Sequence, residues 1–309
     1  MATNGAPSSP SFEALSSRTA RSLIDSVDAF LFDCDGVIWT GYKLIDGVPE
    51  VLQTLRSLGK KLLFVTNNAS KSRKQYVKKF HTLGLDVCED EIFSSSFAAA
   101  MFLKLNNFPL NKKAYVVGAE GILEEMNLAG YACLGGPEGG KNMELDKNLL
   151  SECDKSIGAV VVGLDKHINH HKLQYATLCI RENPDCLFIA TDAAGHLLAN
   201  LEQCSDYQCA GCTISSLCAS TEKEPIVVGK PSSFIMDILV ERFQINPAKT
   251  CMVGDRLNTD ILFGQNAGCK TLLVLSGVTT LSALQDPSNE IHPNYYTSNV
   301  FNIVELLRT

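Results

Sequence analysis

Two aspartates near the start of the chain have the spacing needed for nucleophilic and acid–base chemistry. Asp33 and Asp35 flank Cys34 at the end of a hydrophobic run, and Gly36 follows them. If the chain turns there, one carboxylate can act as a nucleophile while the other donates and accepts protons. Taken alone, the same residues also fit a simple turn at the end of a strand, where Asp and Gly are common.

A second pair of aspartates has the chemistry of metal ligands. Asp255 and Asp260 occur in the run Gly254-Asp-Arg-Leu-Asn-Thr-Asp260, directly after an apolar run. Carboxylate oxygens are hard ligands of the kind that magnesium prefers. The alternative is the N-terminus of a helix, where a capping residue and acidic side chains in the first turn are favourable.

Two further motifs add a hydroxyl group and a cation. Thr66-Asn67-Asn68 follows a hydrophobic run, and its hydroxyl and backbone amides could hydrogen-bond phosphoryl oxygens. Lys230, which follows Gly229, could neutralise charge on a phosphoryl group and on an attacking carboxylate. Each of these motifs alone also fits a turn or a solvated surface lysine, and the hypothesis depends on their combination.

The elements that position these residues follow from the hydrophobic pattern. Short apolar runs alternate with helical patterns at 48–58 and 71–83, which predicts an α/β protein with a mainly parallel, Rossmann-like sheet. All four motifs follow predicted strands, at residues 29–33, 61–66, 225–229 and 250–254, and a further strand is predicted at 271–275. Ligands of open α/β sheets bind at the carboxyl ends of the strands, so we expect the motifs to meet there.

The middle of the chain predicts an inserted α/β domain. Only 33 residues separate Asp33 from Thr66, whereas 164 separate Thr66 from Lys230. The intervening sequence predicts strands and helices of its own, with strands at 114–118, 157–163 and 186–191, helices at 121–128 and 170–182, and a surface loop at 135–140. The predicted domains are a disordered leader at 1–20, a core at 21–106 and 225–309, and a cap at 107–224.

Composition indicates which partners the protein is not expected to bind and in which compartment it is expected. The 309 residues carry a formal charge of −7 without a basic stripe, so neither nucleic acid nor an anionic membrane is an expected partner. The longest apolar runs, such as 157–164, fall short of the roughly 18 residues that a membrane span needs. The Ser-rich first residues are interpreted as a leader, although an organelle transit peptide is the alternative. The 12 cysteines are predicted to be reduced thiols, several of them acting as small hydrophobic residues, in the cytoplasm.

The four motifs together resemble the haloacid dehalogenase-like hydrolase superfamily, whose pattern is D-x-D, then Thr or Ser, then Lys, then G-D-x-x-x-x-D. Within that superfamily the sequences of the motifs are similar to those of the phosphoglycolate and 4-nitrophenyl phosphatase branch, above all to those of the plant phosphoglycolate phosphatases. The runs that carry this resemblance are Phe32-Asp-Cys-Asp-Gly-Val-Ile-Trp39, Val65-Thr-Asn-Asn-Ala-Ser-Lys71, Val227-Val-Gly-Lys-Pro-Ser232 and Gly254-Asp-Arg-Leu-Asn-Thr-Asp-Ile-Leu-Phe-Gly264.

The resemblance implies a role for each matching residue. Asp33 would be the nucleophile that forms a phospho-aspartyl intermediate, and Asp35 the general acid and base. The transferring phosphoryl group would be held by Thr66, the Asn67 backbone and Lys230. Mg²⁺ would be bound by Asp33, the Asp35 backbone carbonyl and Asp255, with Asp260 in support. The substrate would be a small phosphate ester, and homodimers formed through the cap occur among such proteins.

The cap loops depart from the family's pattern. The run Thr191-Asp-Ala-Ala-Gly-His196 lacks a second aspartate, which leaves Asp192 and His196 as candidate substrate-binding residues. His167, His170 and His171 are interpreted as polar residues at a helix start. Four cysteines resemble a metal site in their spacing, but ordinary thiols are the preferred interpretation: Cys204, Cys209, Cys212 and Cys218.

The expected activity is hydrolysis of 2-phosphoglycolate to glycolate and phosphate. The alternatives within the same class are glycerol phosphate, pyridoxal phosphate and aryl phosphates. A phosphotransferase, or a catalytically weak regulatory or binding protein that keeps the fold, is the alternative outside it.

Overall fold

The computed structural model describes residues 12–139, 154–193 and 210–308, in which short strands and helices follow one another along the chain. The strands are β1 (Glu13–Ala14), β2 (Ala29–Phe32), β3 (Trp39–Thr40), β4 (Lys43–Leu44), β5 (Lys61–Thr66), β6 (Ile92–Ser94), β7 (Lys113–Val117), β8 (Ala132–Gly135), β9 (Ile157–Val162), β10 (Leu187–Ala190), β11 (Ile226–Val227), β12 (Thr250–Gly254), β13 (Lys270–Val274) and β14 (Tyr295–Thr297). The α-helices are α1 (Ser17–Ser26), α2 (Val48–Ser57), α3 (Arg73–Thr82), α4 (Ser95–Leu105), α5 (Glu120–Leu128), α6 (His170–Glu182), α7 (Ala210–Thr221), α8 (Phe234–Phe243), α9 (Leu262–Asn266), α10 (Leu281–Leu284) and α11 (Asn302–Glu305). Shorter helical turns lie at Glu89–Glu91, Pro247–Lys249 and Leu257–Ile261.

The chain divides into two compact units, and the first consists of residues 1–62 and 243–309. Its parallel strands are ordered β1-β14-β13-β12-β2. Val253 of β12 lies opposite Phe32 of β2, and every residue of both strands is buried. Strands buried on both faces need continuous hydrophobic runs, as found here. The adjacent carboxyl ends of β2 and β12 bring the residues that follow them to the same edge of the sheet.

The second unit, residues 63–242, contains a separate parallel sheet. Its strands are ordered β11-β10-β9-β7-β8. Helices α6 and α7 pack on this sheet through a buried apolar cluster that includes Val160, Ile180 and Leu217. In the same unit β5 pairs in parallel with β6, so that Thr66 at the end of β5 lies opposite Ser94.

Helix boundaries follow local capping signals. At the start of α3, the Ser72 hydroxyl accepts a hydrogen bond from Gln75 N, and the Gln75 side chain accepts one from Ser72 N. Tyr76 and Phe80 form the buried face of this helix, and Gly84 follows its end with a φ of +77°, a conformation that favours glycine. Helix α6 begins after Asn169, whose side chain accepts from Lys172 N.

The predicted fold class and most predicted elements are confirmed. The strands predicted at 61–66 and 250–254 and the helix predicted at 170–182 agree at both ends, and the other helices predicted from periodicity agree within two residues. The α/β class with parallel sheets is therefore correct. The boundaries proposed for core and cap remain a prediction.

The predicted disordered leader at 1–20 is wrong from Glu13 onward, whereas residues 1–11 lie outside the described part of the chain. Glu13–Ala14 pairs with β14, and Ser16 forms a capping box with Thr19 at the start of α1. Leu23 and Ile24 then bury the apolar side of α1. A polar, Ser-rich composition obscured a helix that these buried residues stabilise.

Two details of the strand predictions also differ. The strand predicted at 225–229 is only Ile226–Val227, and it pairs with β10 of the second unit's sheet, with Ile226 opposite Ile189. The loop predicted at 135–140 begins with the last residue of β8, and its final residue lies outside the described ranges. Strands of two to four residues are too short to show a clear period, and β3, β4, β6, β8 and β14 were not predicted.

The described cysteines are all free thiols. Cys34, Cys179 and Cys251 are fully buried, as predicted for cysteines that act as small hydrophobic residues. No helix within the described ranges is both long and apolar enough to cross a membrane.

Candidate active site

Three carboxylates meet at the edge where β2 and β12 end. Asp33 directly follows β2, Asp255 directly follows β12, and Asp260 lies in the helical turn after it. One ligand oxygen from each of the three lies within 4.8 Å of the others. No other set of three His, Cys, Asp or Glu side chains in the described ranges comes together in this way. We call these three residues the acidic cluster.

Backbone N–H groups hold two members of the acidic cluster. Val278 N donates to Asp255 Oδ2 at 2.6 Å. Asp260 Oδ2 accepts from Asp255 N at 3.2 Å and from Arg256 N at 3.0 Å. Backbone donors to a carboxylate stabilise its charged form and fix its orientation. The run from Gly254 to Asp260 therefore folds so that its second aspartate anchors the backbone of its first.

Glycine is required beside the acidic cluster. Gly36 has a φ of +87°, and a Cβ atom there would lie 2.6 Å from Asp255 Oδ2. Gly277 also packs directly against the Asp255 carboxyl group. Sequence reasoning missed Gly277 and Val278, although a glycine shortly after strand β13 is a signal for a turn at the same edge.

The two carboxylates of the Asp-Cys-Asp run are separated by a turn. Asp33 still belongs to the sheet register, since Asp33 N donates to Val253 O at 2.9 Å. The chain then turns, and Trp39 N donates to Cys34 O at 3.1 Å. Trp39 Nε1 donates to Asp35 Oδ1 at 2.8 Å and so orients that carboxylate. The turn lets the two groups take different roles, and the indole partner of Asp35 was not predicted.

The electrostatics of the acidic cluster favour a cation. Asp33, Asp255 and Asp260 are 8%, 2% and 1% exposed, so solvent screens their mutual repulsion poorly. Close, buried carboxylates are stable when a metal ion or protons neutralise them. The donor set consists of carboxylate oxygens, which fits a hard divalent cation.

A second group of predicted residues meets in the other unit of the protein. Thr66 and Lys230 are buried, and Asn67 and Asp192 lie beside them. Asn67 Nδ2 donates to Asp192 Oδ1 at 2.9 Å and to Lys230 O at 2.7 Å, and Asn67 Oδ1 accepts from Lys230 N at 2.7 Å. We call Thr66, Asn67, Asp192 and Lys230 the amide cluster, because the Asn67 amide joins Asp192 to Lys230 and Thr66 directly precedes Asn67.

Each of the two compact units brings its own predicted site residues together. Asp33, Asp255 and Asp260 come together in the acidic cluster, and Asp35 follows in the adjoining turn. Of the candidates in the cap loops, Asp192 contacts Asn67, whereas His196 lies outside the described residues. The side-chain contacts of Asn67 were not predicted, because only its backbone was assigned a role.

The cap loop with three histidines contains a buried ion pair that sequence reasoning missed. Lys172 Nζ donates to Asp165 Oδ2 at 2.6 Å, and both side chains are almost wholly buried. His167 N donates to the other oxygen of Asp165, and His170 is the first residue of α6. The interpretation of His170 as a helix-start residue is confirmed.

Burial disfavours the thiolate form of several described cysteines. It raises the pKa of the Cys133 thiol to about 11 and that of Cys269 to about 12, and it also raises the pKa of Cys218. Protonated thiols are poor nucleophiles and poor metal ligands. Cys212 is exposed, whereas Cys204 and Cys209 lie outside the described residues, so the cysteine metal site is not tested.

Comparisons with known proteins match this chain to hydrolase families and to phosphatases. Residues 30–132 match the family described as haloacid dehalogenase-like hydrolase, and residues 227–302 match one described as HAD-hydrolase-like. Phosphoglycolate phosphatase 2 of Arabidopsis thaliana is 60% identical over 301 residues, covering 96% of this chain and 99% of the relative. Glycerol-3-phosphate phosphatase of Gallus gallus is 36% identical, covering 95% and 96%. The crystal structure of 4-nitrophenylphosphatase from Thermotoga maritima has a TM-score of 0.76 at 26% identity, covering 92% of this chain and 99% of its own.

Proposed function

The chain belongs to the haloacid dehalogenase-like hydrolase family, and on that premise we propose that it is a magnesium-dependent phosphatase that hydrolyses 2-phosphoglycolate. The observation that carries the reaction type is the acidic cluster, in which Asp33 lies beside Asp255 and Asp260 at the carboxyl ends of adjacent parallel strands. The substrate is proposed from the relative named phosphoglycolate phosphatase, which is 60% identical along nearly the whole chain.

The proposed reaction has two steps. In the first, an Asp33 carboxylate oxygen attacks phosphorus, the bond from phosphorus to the ester oxygen breaks, and Asp35 donates a proton to the leaving oxygen of glycolate. In the second, water attacks phosphorus of the phospho-aspartyl group and Asp35 accepts the water proton. The bond from phosphorus to the Asp33 oxygen breaks, which releases phosphate and regenerates the Asp33 carboxylate. The hydrogen bond from Trp39 Nε1 supports this assignment, because it orients Asp35 independently of Asp33.

The proposed metal ligands are the carboxylates of Asp33 and Asp255 and the backbone carbonyl of Asp35, with Asp260 in support. Burial and mutual proximity make the carboxylates suitable for a hard cation, and magnesium is the usual one where phosphate is the substrate. When bound, a magnesium ion would neutralise part of the charge between the attacking carboxylate and the phosphate.

The proposed phosphoryl-binding groups are the Thr66 hydroxyl, the Asn67 backbone amide and the Lys230 ammonium. A buried lysine stabilises a developing negative charge more strongly than a solvated one, because the local dielectric is low. Lys230 is 1% exposed and Thr66 is 2% exposed, which supports this role. His196 and Asp192 remain proposed contributors to substrate binding.

A panel of phosphate esters tests the proposed function. The purified protein would be assayed on 2-phosphoglycolate, glycerol 3-phosphate, pyridoxal 5′-phosphate and 4-nitrophenyl phosphate, with magnesium and after chelation. We expect the highest kcat/KM on 2-phosphoglycolate and no turnover without the metal. Efficient turnover of another ester beside negligible turnover of 2-phosphoglycolate would refute the substrate, and no turnover of any ester would refute the enzyme.

Glycerol 3-phosphate is the second candidate substrate. The observation that favours it is the relative from Gallus gallus named glycerol-3-phosphate phosphatase, which is 36% identical along 95% of this chain. Its lower identity makes it the weaker candidate. The ratio of the two kcat/KM values in the same panel decides between them.

We further propose that the protein acts in the cytoplasm. The free thiols of the described cysteines suit a reducing compartment. A full-length fluorescent fusion would test the location, and signal confined to an organelle would refute it. A homodimer remains a proposal that the mass of the purified protein in solution would check.

A further inference from the structure

The Asn67 side chain directs both of its donor hydrogens and its acceptor oxygen to Lys230 and Asp192. Its Oδ1 accepts from Lys230 N and its Nδ2 donates to Lys230 O, both at 2.7 Å. The second hydrogen of Nδ2 goes to Asp192 Oδ1 at 2.9 Å. A side-chain amide that bonds to both the N–H and the carbonyl oxygen of one residue fixes the position and orientation of that residue's backbone.

Lys230 is also held at the far end of its side chain. Its ammonium group donates to Val65 O at 2.8 Å, and the residue is 1% exposed. Val65 and Asn67 flank Thr66 in sequence, so the backbone and the ammonium group of Lys230 are both fixed relative to Thr66. These two residues, Thr66 and Lys230, are proposed ligands of the phosphoryl group.

Close packing leaves little freedom around this contact. A Cβ atom on Gly229 would lie 2.8 Å from Asn67 Oδ1 and would also press on the carbonyl oxygen of Thr191. Asp192 directly follows Thr191, and its Oδ1 accepts from Ala193 N at 2.9 Å as well as from Asn67. The Asn67 amide thus joins the chain after β10 to the chain after β11.

We propose that the Asn67 side chain is a positioning group that holds Lys230 in its catalytic place, and that Asp192 orients the Asn67 amide. This role rests on the proposed function, in which Lys230 binds the phosphoryl group. It differs from a role for the Asn67 backbone, because replacing the side chain leaves the backbone amide present. It also gives Asp192 a function that requires no contact with the substrate.

Exchanging the hydrogen-bonding groups tests the proposal. Asn67→Asp keeps the size of the side chain, removes both donors and sets a second carboxylate against Asp192, so we expect kcat/KM to fall about 100-fold. Asp192→Asn still accepts from Asn67 and should lower kcat/KM only about fivefold. In the double variant the amide introduced at position 192 can donate to the carboxylate introduced at position 67, which should restore about 10-fold of the loss.

A general structural role of Asn67 would not predict that the double variant recovers kcat/KM. A wild-type kcat/KM for Asn67→Asp, or a double variant no faster than Asn67→Asp, would overturn the proposal. Wild-type protein that hydrolyses no ester would contradict the proposed function instead. A measurement that needs no turnover separates the two outcomes.

That measurement is the rate at which acetic anhydride labels Lys230, followed by mass spectrometry. Lys172 is the internal control, because it is equally buried but is held by Asp165 rather than by Asn67. In Asn67→Asp we expect labelling of Lys230 to rise about 10-fold while Lys172 stays protected. Unchanged labelling of Lys230 in a variant that has lost both donors would overturn the proposal.

Increased labelling of Lys172 would show that Asn67→Asp does not fold. A second variant, Asp192→Ala, tests the proposal in that case. Asp192→Ala removes the carboxylate that accepts from Asn67 Nδ2 and from Ala193 N, each at 2.9 Å, and leaves the Asn67 amide intact. We expect Lys230 to be labelled severalfold faster in this variant while Lys172 keeps its wild-type rate. If Lys230 reacts no faster than in the wild type, Asp192 does not orient the amide and the proposal fails.

Discussion

The acidic cluster and the amide cluster are held in place in opposite ways. Backbone N–H groups and glycines position the carboxylates of the acidic cluster, and its three acidic side chains remain close to one another. In the amide cluster the side chain of Asn67 bonds directly to Asp192 and to the backbone of Lys230. The acidic cluster gathers carboxylates that suit the proposed cation, whereas the amide cluster fixes the position of a lysine that is itself a cation.

This difference predicts which region depends on metal. Buried like charges raise the free energy of the folded state until a counter-ion arrives. Hydrogen bonds inside the amide cluster satisfy polar groups that would otherwise be costly to bury. We therefore expect changes in the acidic cluster to alter both activity and the response to magnesium, and changes in the amide cluster to alter activity without altering the response to magnesium.

Asp33→Asn should have the largest effect. The amide is a poor nucleophile, so we expect kcat to fall by about 10⁴-fold or more. Without metal the variant should unfold at a temperature no lower than the wild type, because one of three mutually repelling charges is gone. Thermal unfolding in a chelating buffer checks the fold, and a rate near that of the wild type would remove Asp33 from the mechanism.

Gly36→Ala tests the geometry of the acidic cluster, with Gly41→Ala as the matched control. Both glycines have positive φ, at +87° and +61°, but only a Cβ at Gly36 meets the Asp255 carboxylate, whereas one at Gly41 meets nothing within 4 Å. Each variant should lose about 1 kcal/mol of stability from backbone strain. Only Gly36→Ala should raise the magnesium concentration needed for half activity, by about 10-fold to 100-fold. Equal metal dependence in the two variants would show that the contact with Asp255 is unimportant.

Stabilisation of the fold by magnesium should depend on the acidic cluster and not on the amide cluster. At about 100 times its dissociation constant, a ligand that binds only the folded state raises the free energy of unfolding by about 2.7 kcal/mol. Asp255→Asn should lose most of this stabilisation, whereas Asn67→Asp should keep it in full. The measurement is the unfolding temperature with and without the ion. A loss of the response in Asn67→Asp would break the distinction between the clusters.

The acidic cluster could be predicted from the sequence because Asp33 and Asp255 each directly follow a strand that is recognisable from its own residues. The buried strands Ala29–Phe32 and Thr250–Gly254 are continuous apolar runs, and Asp33 and Asp255 directly follow them. Once the two strands are parallel neighbours, their carboxyl ends must lie together, so the aspartates meet without further information. The same reasoning predicted Lys61–Thr66 and hence the place of Thr66.

The contacts inside the amide cluster could not be predicted in this way. Asn67 lies 125 residues from Asp192 and 163 residues from Lys230 along the chain. No periodicity or spacing rule connects positions so far apart, and an Asn after a strand is most simply a turn residue. The indole partner of Asp35 was missed for a related reason, since it depends on the turn between Cys34 and Trp39.

Replacing a helix cap outside either cluster should give the smallest effect on activity. Ser72 caps α3 shortly after the amide cluster, and Ser16 forms an equivalent capping box in the unit that holds the acidic cluster. Ser72→Ala and Ser16→Ala should each lower the free energy of unfolding by about 1 kcal/mol, measured in urea, because one helical N–H loses its acceptor. If Asn67 holds Lys230 through its own side chain, as its three hydrogen bonds indicate, kcat should change less than twofold in both variants. A tenfold loss of kcat in Ser72→Ala alone would mean that α3, rather than the Asn67 amide, positions the lysine.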